Sequence, residues 1–169
     1  MRNLNNENYG LSYRKLGKTK TIDEILKVAI SFEKTARDFY AALIPKVDNS
    51  LRMLVKELAE EEQHHYDLFC ALRDSSDVQK QLNNRIKTPQ ENTSFSQFTK
   101  PAKLGDNPDE KTLLLYAIAR EDAAMKQYRD LAENAPDGGL KDTFQFLAFE
   151  EAEHKLELEQ KYQELFTSD

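Results

Sequence analysis

The sequence has 169 residues, 39% hydrophobic and 32% charged, with a formal net charge of −6 and one cysteine, Cys70. That length holds one domain with a substantial core but not two comfortable ones, and the composition is that of a folded helical protein rather than a disordered one. The acidic balance argues against nucleic acid as a partner, no window approaches the roughly 18 to 20 apolar residues of a membrane span, and a lone cysteine excludes an internal disulfide or a four-cysteine metal knuckle.

Residues 1–20 carry Arg2, Arg14, Lys15, Lys18 and Lys20 against Glu7 alone, and they read as a flexible basic extension ahead of a body at 21–169. Met1 to Tyr9 is polar and Asn-rich, unlike a secretory signal, so the cytoplasm is the expected compartment. Thr21-x-x-Glu24 is a capping-box pattern that opens a first helix, expected to run to about Leu43 before Pro45. Asp48 or Ser50 caps a second helix, running to about Arg73. Ser75 to Asp106 then forms a long polar stretch interrupted by Pro89, Pro101 and Gly105, in which a short helix anchored by Phe95 and Phe98 is expected. Asn107-Pro108-Asp109-Glu110 offers an N-cap, a proline at the first helical position and a glutamate at the third, predicting a third helix that ends near Glu133. The fourth runs from about Gly139 to Phe166. Short links within each pair and one long link between pairs predict an all-α, ferritin-like antiparallel four-helix bundle whose crossover, at about 75–106, joins helices two and three.

Apolar residues recur at spacings of three and four on each helix, which is the seam of such a bundle. The stripes are Ile22, Ile25, Ala29, Ala36, Leu43; Leu51, Leu54, Leu58, Phe69, Leu72; Leu114, Ala117, Ala124, Leu131; and Leu140, Phe144, Leu147, Leu158, Leu165. Each is broken where an apolar residue belongs: by Glu33, by Glu62 and His65, by Glu121, and by Glu151 and His154. The pattern is a repeat. Ile30-Ser31-Phe32-Glu33 matches Ile118-Ala119-Arg120-Glu121, and Glu62-Gln63-His64-His65 matches Glu151-Ala152-Glu153-His154.

Burying a bare carboxylate costs several kcal/mol or more unless it is paired, protonated or metal-bound, and no Lys or Arg occupies the stripes. Two divalent cations would balance four carboxylates and leave the imidazoles neutral. Glu33 and Glu62 stand equally far from the Pro45–Asp48 turn, and Glu121 and Glu151 equally far from Pro136, so both hairpins can present their groups at one level, about 22 Å from the turns. Glu61-x-x-His64 also fits the spacing, but it lies off the apolar seam, and Glu61 and His64 are expected to face solvent. Glutamate and histidine suit iron, manganese or zinc, and no thiolate favours copper. Iron is expected, since carboxylate-rich sites support dioxygen and peroxide chemistry. Tyr40 and Tyr128 each follow a glutamate by seven residues; one reading is core filling, the other a hydrogen bond to a ligand carboxylate.

On these motifs, over roughly residues 21–166, the chain resembles the rubrerythrin branch of the ferritin-like superfamily. The resemblance implies a pair of iron ions bridged by Glu62 and Glu151, with Glu33 and Glu121 as terminal ligands and His65 and His154 each binding one ion. Rubrerythrins proper add a C-terminal four-cysteine domain that feeds electrons to the site; with Cys70 alone, an external electron-donor protein is expected here. They also carry an extra glutamate one turn after the third-helix ligand, where this chain has Ala124, which makes the set closer to the symmetric six-residue site of bacterioferritin. The expected function is a redox enzyme acting on peroxide or dioxygen. The alternatives are iron storage or sensing, a di-manganese catalase and a quinone-directed hydroxylase. Phe32, Phe39, Phe146 and Phe149 lie off the metal stripe and are expected to form a homodimer interface.

Overall fold

The structure, a computed structural model, describes residues 19–88 and 93–167. The basic extension therefore lies outside the described residues except for Thr19 and Lys20, as does Pro89 of the crossover. In chain order the elements are β1 (Thr19–Thr21), α1 (Ile22–Leu43), α2 (Asn49–Asp74), α3 (Ser76–Gln79), β2 (Arg85–Lys87), α4 (Thr93–Gln97), α5 (Glu110–Asn134) and α6 (Gly139–Phe166). No described helix is long and apolar enough to cross a membrane.

Four long helices pack as two hairpins, α1 with α2 and α5 with α6, into the expected ferritin-like antiparallel bundle. Cap chemistry sets where they start. Thr21 Oγ1 accepts the Glu24 amide at 3.1 Å, so the first cap falls where the capping-box pattern put it. The third long helix starts later than expected: Asp109, not Asn107, is its N-cap and accepts the Thr112 amide at 2.8 Å. A carboxylate at Asp109 caps well, and the freed Glu110 side chain then accepts the Asp48 amide at 2.6 Å, tying the start of α5 to the start of α2.

The core has two apolar layers. One holds Leu26, Phe69, Tyr128, Phe144 and Leu147, and the other Tyr40, Leu51, Leu58, Leu114 and Leu158. α1 and α6 run from the first layer to the second, α2 and α5 the opposite way, so the link from α2 to α5 must travel the length of the bundle. Every seam residue named above is buried except Leu72 and Leu165, which are partly covered.

The crossover is pinned at several points. β1 and β2 form an antiparallel ladder that places Ile86 in the first layer, an element without a sequence signal. The amides of Ile22 and Asp23 donate to the carbonyls of Asn84 and Leu82. Phe95 stacks on Phe32 with centroids 4.4 Å apart, Phe98 meets Tyr116 edge-on, and Thr35 donates to the Thr99 carbonyl at 3.2 Å. Phe32 is therefore buried and Phe39 partly so beneath the crossover, which corrects the expectation that they form an outer interface. Phe146 and Phe149 remain 49% and 63% exposed.

Candidate metal centre

Between the two apolar layers the stripes bring six side chains together: Glu33 from α1, Glu62 and His65 from α2, Glu121 from α5, and Glu151 and His154 from α6. All six are buried, none more than 4% exposed. Their ligand-capable atoms form two overlapping groups. Glu33, Glu62, His65 and Glu151 make one, and Glu62, Glu121, Glu151 and His154 the other; within each, one atom per residue lies within 4.8 Å of the rest. Glu62 and Glu151 belong to both.

His65 Nδ1 lies 2.9 Å from Glu151 Oε1, 3.2 Å from Glu62 Oε2 and 3.7 Å from Glu33 Oε2. His154 Nδ1 lies 3.4 Å from Glu62 Oε1, 3.7 Å from Glu121 Oε2 and 3.8 Å from Glu151 Oε2. The two rings are nearly parallel, at 16°, with centroids 5.6 Å apart.

The electrostatics split the four acids into two kinds. Burial and the charges of Glu62 and Glu151 push Glu33 and Glu121 well above the usual carboxylate range. Burial also acts on Glu62 and Glu151, but the neighbouring groups, His154, His65 and Glu33 around Glu62 and Glu121, His154 and His65 around Glu151, hold both below it. For the histidines burial works downward and is outweighed by the surrounding carboxylates, which shift both upward. Within one cluster the shifts thus run in opposite senses, favouring protons on both imidazoles, Glu33 and Glu121 and disfavouring them on Glu62 and Glu151.

This arrangement leaves bonding capacity unused. Among the described residues Glu33 Oε2, Glu62 Oε1, Glu121 Oε2, both oxygens of Glu151 and both ring nitrogens of His154 are buried without a hydrogen-bond partner, Nε2 meeting Glu61 only as an ion-pair contact. Buried polar atoms are rarely left so, and here all but Nε2 face one another. Six carboxylate and imidazole donors, two of them shared, fit a pair of hard-to-intermediate divalent cations.

The tyrosines cross between hairpins. Tyr40 donates to Glu121 Oε1, and Tyr128 donates to Glu33 Oε1 at 2.5 Å. Each lies on its own glutamate's face, as the spacing indicated, but it reaches the glutamate of the other hairpin. Burial and the facing carboxylates raise both hydroxyls well above the normal tyrosine range, so both keep their protons.

Two nearby residues have no counterpart in the expected set. Glu61 is half-exposed, as expected, but its carboxylate rests against His154 Nε2 instead of pointing wholly into solvent. Arg120, next to Glu121, is 1% exposed. Its guanidinium lies 4.8, 5.7 and 5.6 Å from the ring centres of Phe32, Phe39 and Phe98, and Nη2 donates to the Phe32 carbonyl at 3.3 Å. Nε and Nη1 have no partner, and among the described residues no carboxylate forms an ion pair with it. The stripes held no cation, but the neighbouring position did. The one hint was that Arg120 aligns with Phe32 in the repeat, an apolar partner for an arginine.

In comparison with known proteins, the family model described as Rubrerythrin matches residues 24–103 and 112–169. The comparisons with curated proteins and with solved structures each returned no match.

Proposed function

The chain belongs to the rubrerythrin family, and from that premise we propose a di-iron carboxylate protein that is redox-active toward peroxide or dioxygen and draws electrons from an external donor protein. The observation that carries this reading is the pair of four-residue groups sharing Glu62 and Glu151 in a layer otherwise closed to solvent. Glu62 and Glu151, common to both groups, would hold two iron ions together with Glu33 and His65 on one side and Glu121 and His154 on the other. A bound iron pair would supply two-electron chemistry toward peroxide or dioxygen.

The protein's own contribution is to place and shield. Two apolar layers keep bulk water from the ligand layer, which strengthens every charge interaction inside it. Tyr128 and Tyr40 hold one oxygen each of Glu33 and Glu121, leaving Oε2 of each toward the cluster. Their raised pKa values make them fixed donors rather than proton-transfer groups near neutral pH. Glu61 fixes which nitrogen of His154 faces inward. With Cys70 the only cysteine in the sequence, the electrons come from outside these residues.

Ala124, fully buried where rubrerythrins proper place a further glutamate, favours a symmetric ferroxidase-type variant of this activity. The exposed Phe146 and Phe149 support self-association as a homodimer. The test is metal analysis of protein purified from its native host, followed by ferrous loading without air and exposure to peroxide or dioxygen. Two irons per chain and donor-dependent turnover are expected. Iron retained far above two per chain indicates storage instead, a manganese content of two indicates the catalase-like alternative, and a fully loaded iron site without turnover overturns the redox assignment.

A further inference from the structure

The repeat invites the view that the two metal positions are equivalent, and the side chains around them contradict it. Glu61 precedes Glu62 as Glu150 precedes Glu151. Glu61 crosses from α2 to α6 and rests against His154 Nε2, whereas among the described residues Glu150 forms no ion pair with His65. Arg120 stands beside Glu121 where Phe32 stands beside Glu33. Both departures fall on the same half of the centre, the one formed by Glu121 and His154.

An imidazole that ligates a metal through one nitrogen is oriented, and made a stronger donor, by a carboxylate on the other; losing such a partner typically weakens metal binding about 10- to 100-fold. His154 has the Glu61 carboxylate in ion-pair contact with Nε2 and turns Nδ1 toward Glu62, Glu121 and Glu151. His65 also turns Nδ1 inward, with no carboxylate of the described residues behind it. We propose that Glu61 is a positioning residue that makes the Glu121–His154 position the tighter one and the first to fill, leaving the Glu33–His65 position as the more exchangeable one. This rests on the di-metal reading above.

Cobalt(II) is a suitable probe, added without air to the metal-free full chain and followed by visible absorption and calorimetry. The unaltered chain is expected to bind in two steps separated by about tenfold or more. In Glu61→Ala the tighter step weakens until the two merge; Glu61→Gln, which keeps an acceptor but not the charge, falls between. Glu150→Ala leaves both steps unchanged. Since Glu61 is half-exposed, these variants fold, which a thermal melt checks. Nitrogen NMR of the zinc-loaded chain supplies an independent readout: His154 is expected as the Nε2-protonated form, and in Glu61→Ala its Nε2 signal moves while that of His65 does not. Two equal steps in the unaltered chain, or equal weakening of both steps by Glu61→Ala, overturns the inference alone. No cobalt uptake by the unaltered chain sinks the di-metal reading and this inference with it.

Discussion

Two kinds of layer alternate along this bundle, and they are built on opposite energetic principles. The outer ones are close-packed hydrocarbon: Leu26, Phe69 and Phe144 on one side, Leu51, Leu58 and Leu158 on the other, each gaining from burial whether or not metal is present. The middle one buries four carboxylates, two imidazoles and, alongside, an arginine without an ion-pair partner among the described residues. A layer like that opposes folding until something satisfies it. The outer layers supply the stability and the middle one draws on it.

Substitutions can break this contrast. The largest effect is expected from Glu62→Ala with Glu151→Ala, which removes both shared carboxylates: stoichiometric metal binding, measured by elemental analysis after dialysis, is lost while the helical circular dichroism persists. Leu58→Ala should do the reverse, costing about 2–5 kcal/mol in denaturant melts with metal stoichiometry intact.

The pH response sharpens the same contrast. His65 and His154 bind protons more tightly folded than unfolded, so their stabilising contribution is complete below about pH 6.5 and declines as pH rises toward the elevated folded values. The histidines should therefore cost the metal-free chain stability above about pH 6.5, by roughly 1.4 kcal/mol per pH unit per retained proton, and Glu33 and Glu121, also raised in the folded state, act in the same sense from their ordinary value of 4.5 upward. Metal would compete with the protons these shifts favour on His65, His154, Glu33 and Glu121, so apparent affinity is expected to rise with pH. Melts with and without chelator across pH 6 to 9, and calorimetry in buffers of different ionisation enthalpy, measure both. Equal pH slopes with and without chelator would remove the distinction between the layers.

Smaller effects follow at the margins. Tyr128→Phe frees Glu33 Oε1 and should weaken one metal position about tenfold while changing stability by about 1 kcal/mol. Phe149→Ser, on the exposed face of α6, should stay within about 0.5 kcal/mol and leave metal uptake untouched. If the same variant shifts the sedimentation coefficient, that face is an interface.

Much of this was readable from residue order. Spacing of three and four on each stripe located all four long helices, and equal distances from the turns brought the six polar interruptions to one level. Phe95 and Phe98 anchored the crossover because large apolar groups in a polar segment must bury somewhere. What stayed hidden depended on contacts between distant segments. Three-residue strands carry too few residues for a pattern, so the ladder at Arg85–Lys87 gave no signal. Tyr40 shares a face with Glu33, but only the packing of α1 on α5 shows that its hydroxyl reaches Glu121. Arg120 and Glu61 sit one residue off the seam, where helical periodicity predicts solvent; the crossover covers one and α6 meets the other.

Three of the six polar groups come from Ile22–Asp74 and three from Glu110–Phe166, and each four-residue group draws on both stretches. Two copies of the first stretch alone would bring two lone glutamates, two Glu-x-x-His pairs and two tyrosines, the complete inventory. A half-length polypeptide could close such a centre only by pairing with itself, at a cost set by its concentration; fusion makes that encounter intramolecular. Fusion also permits something a self-paired half could never have, because identical copies must change together. Arg120 in the place of Phe32, and Glu61 acting without Glu150, are differences that two identical halves could not hold.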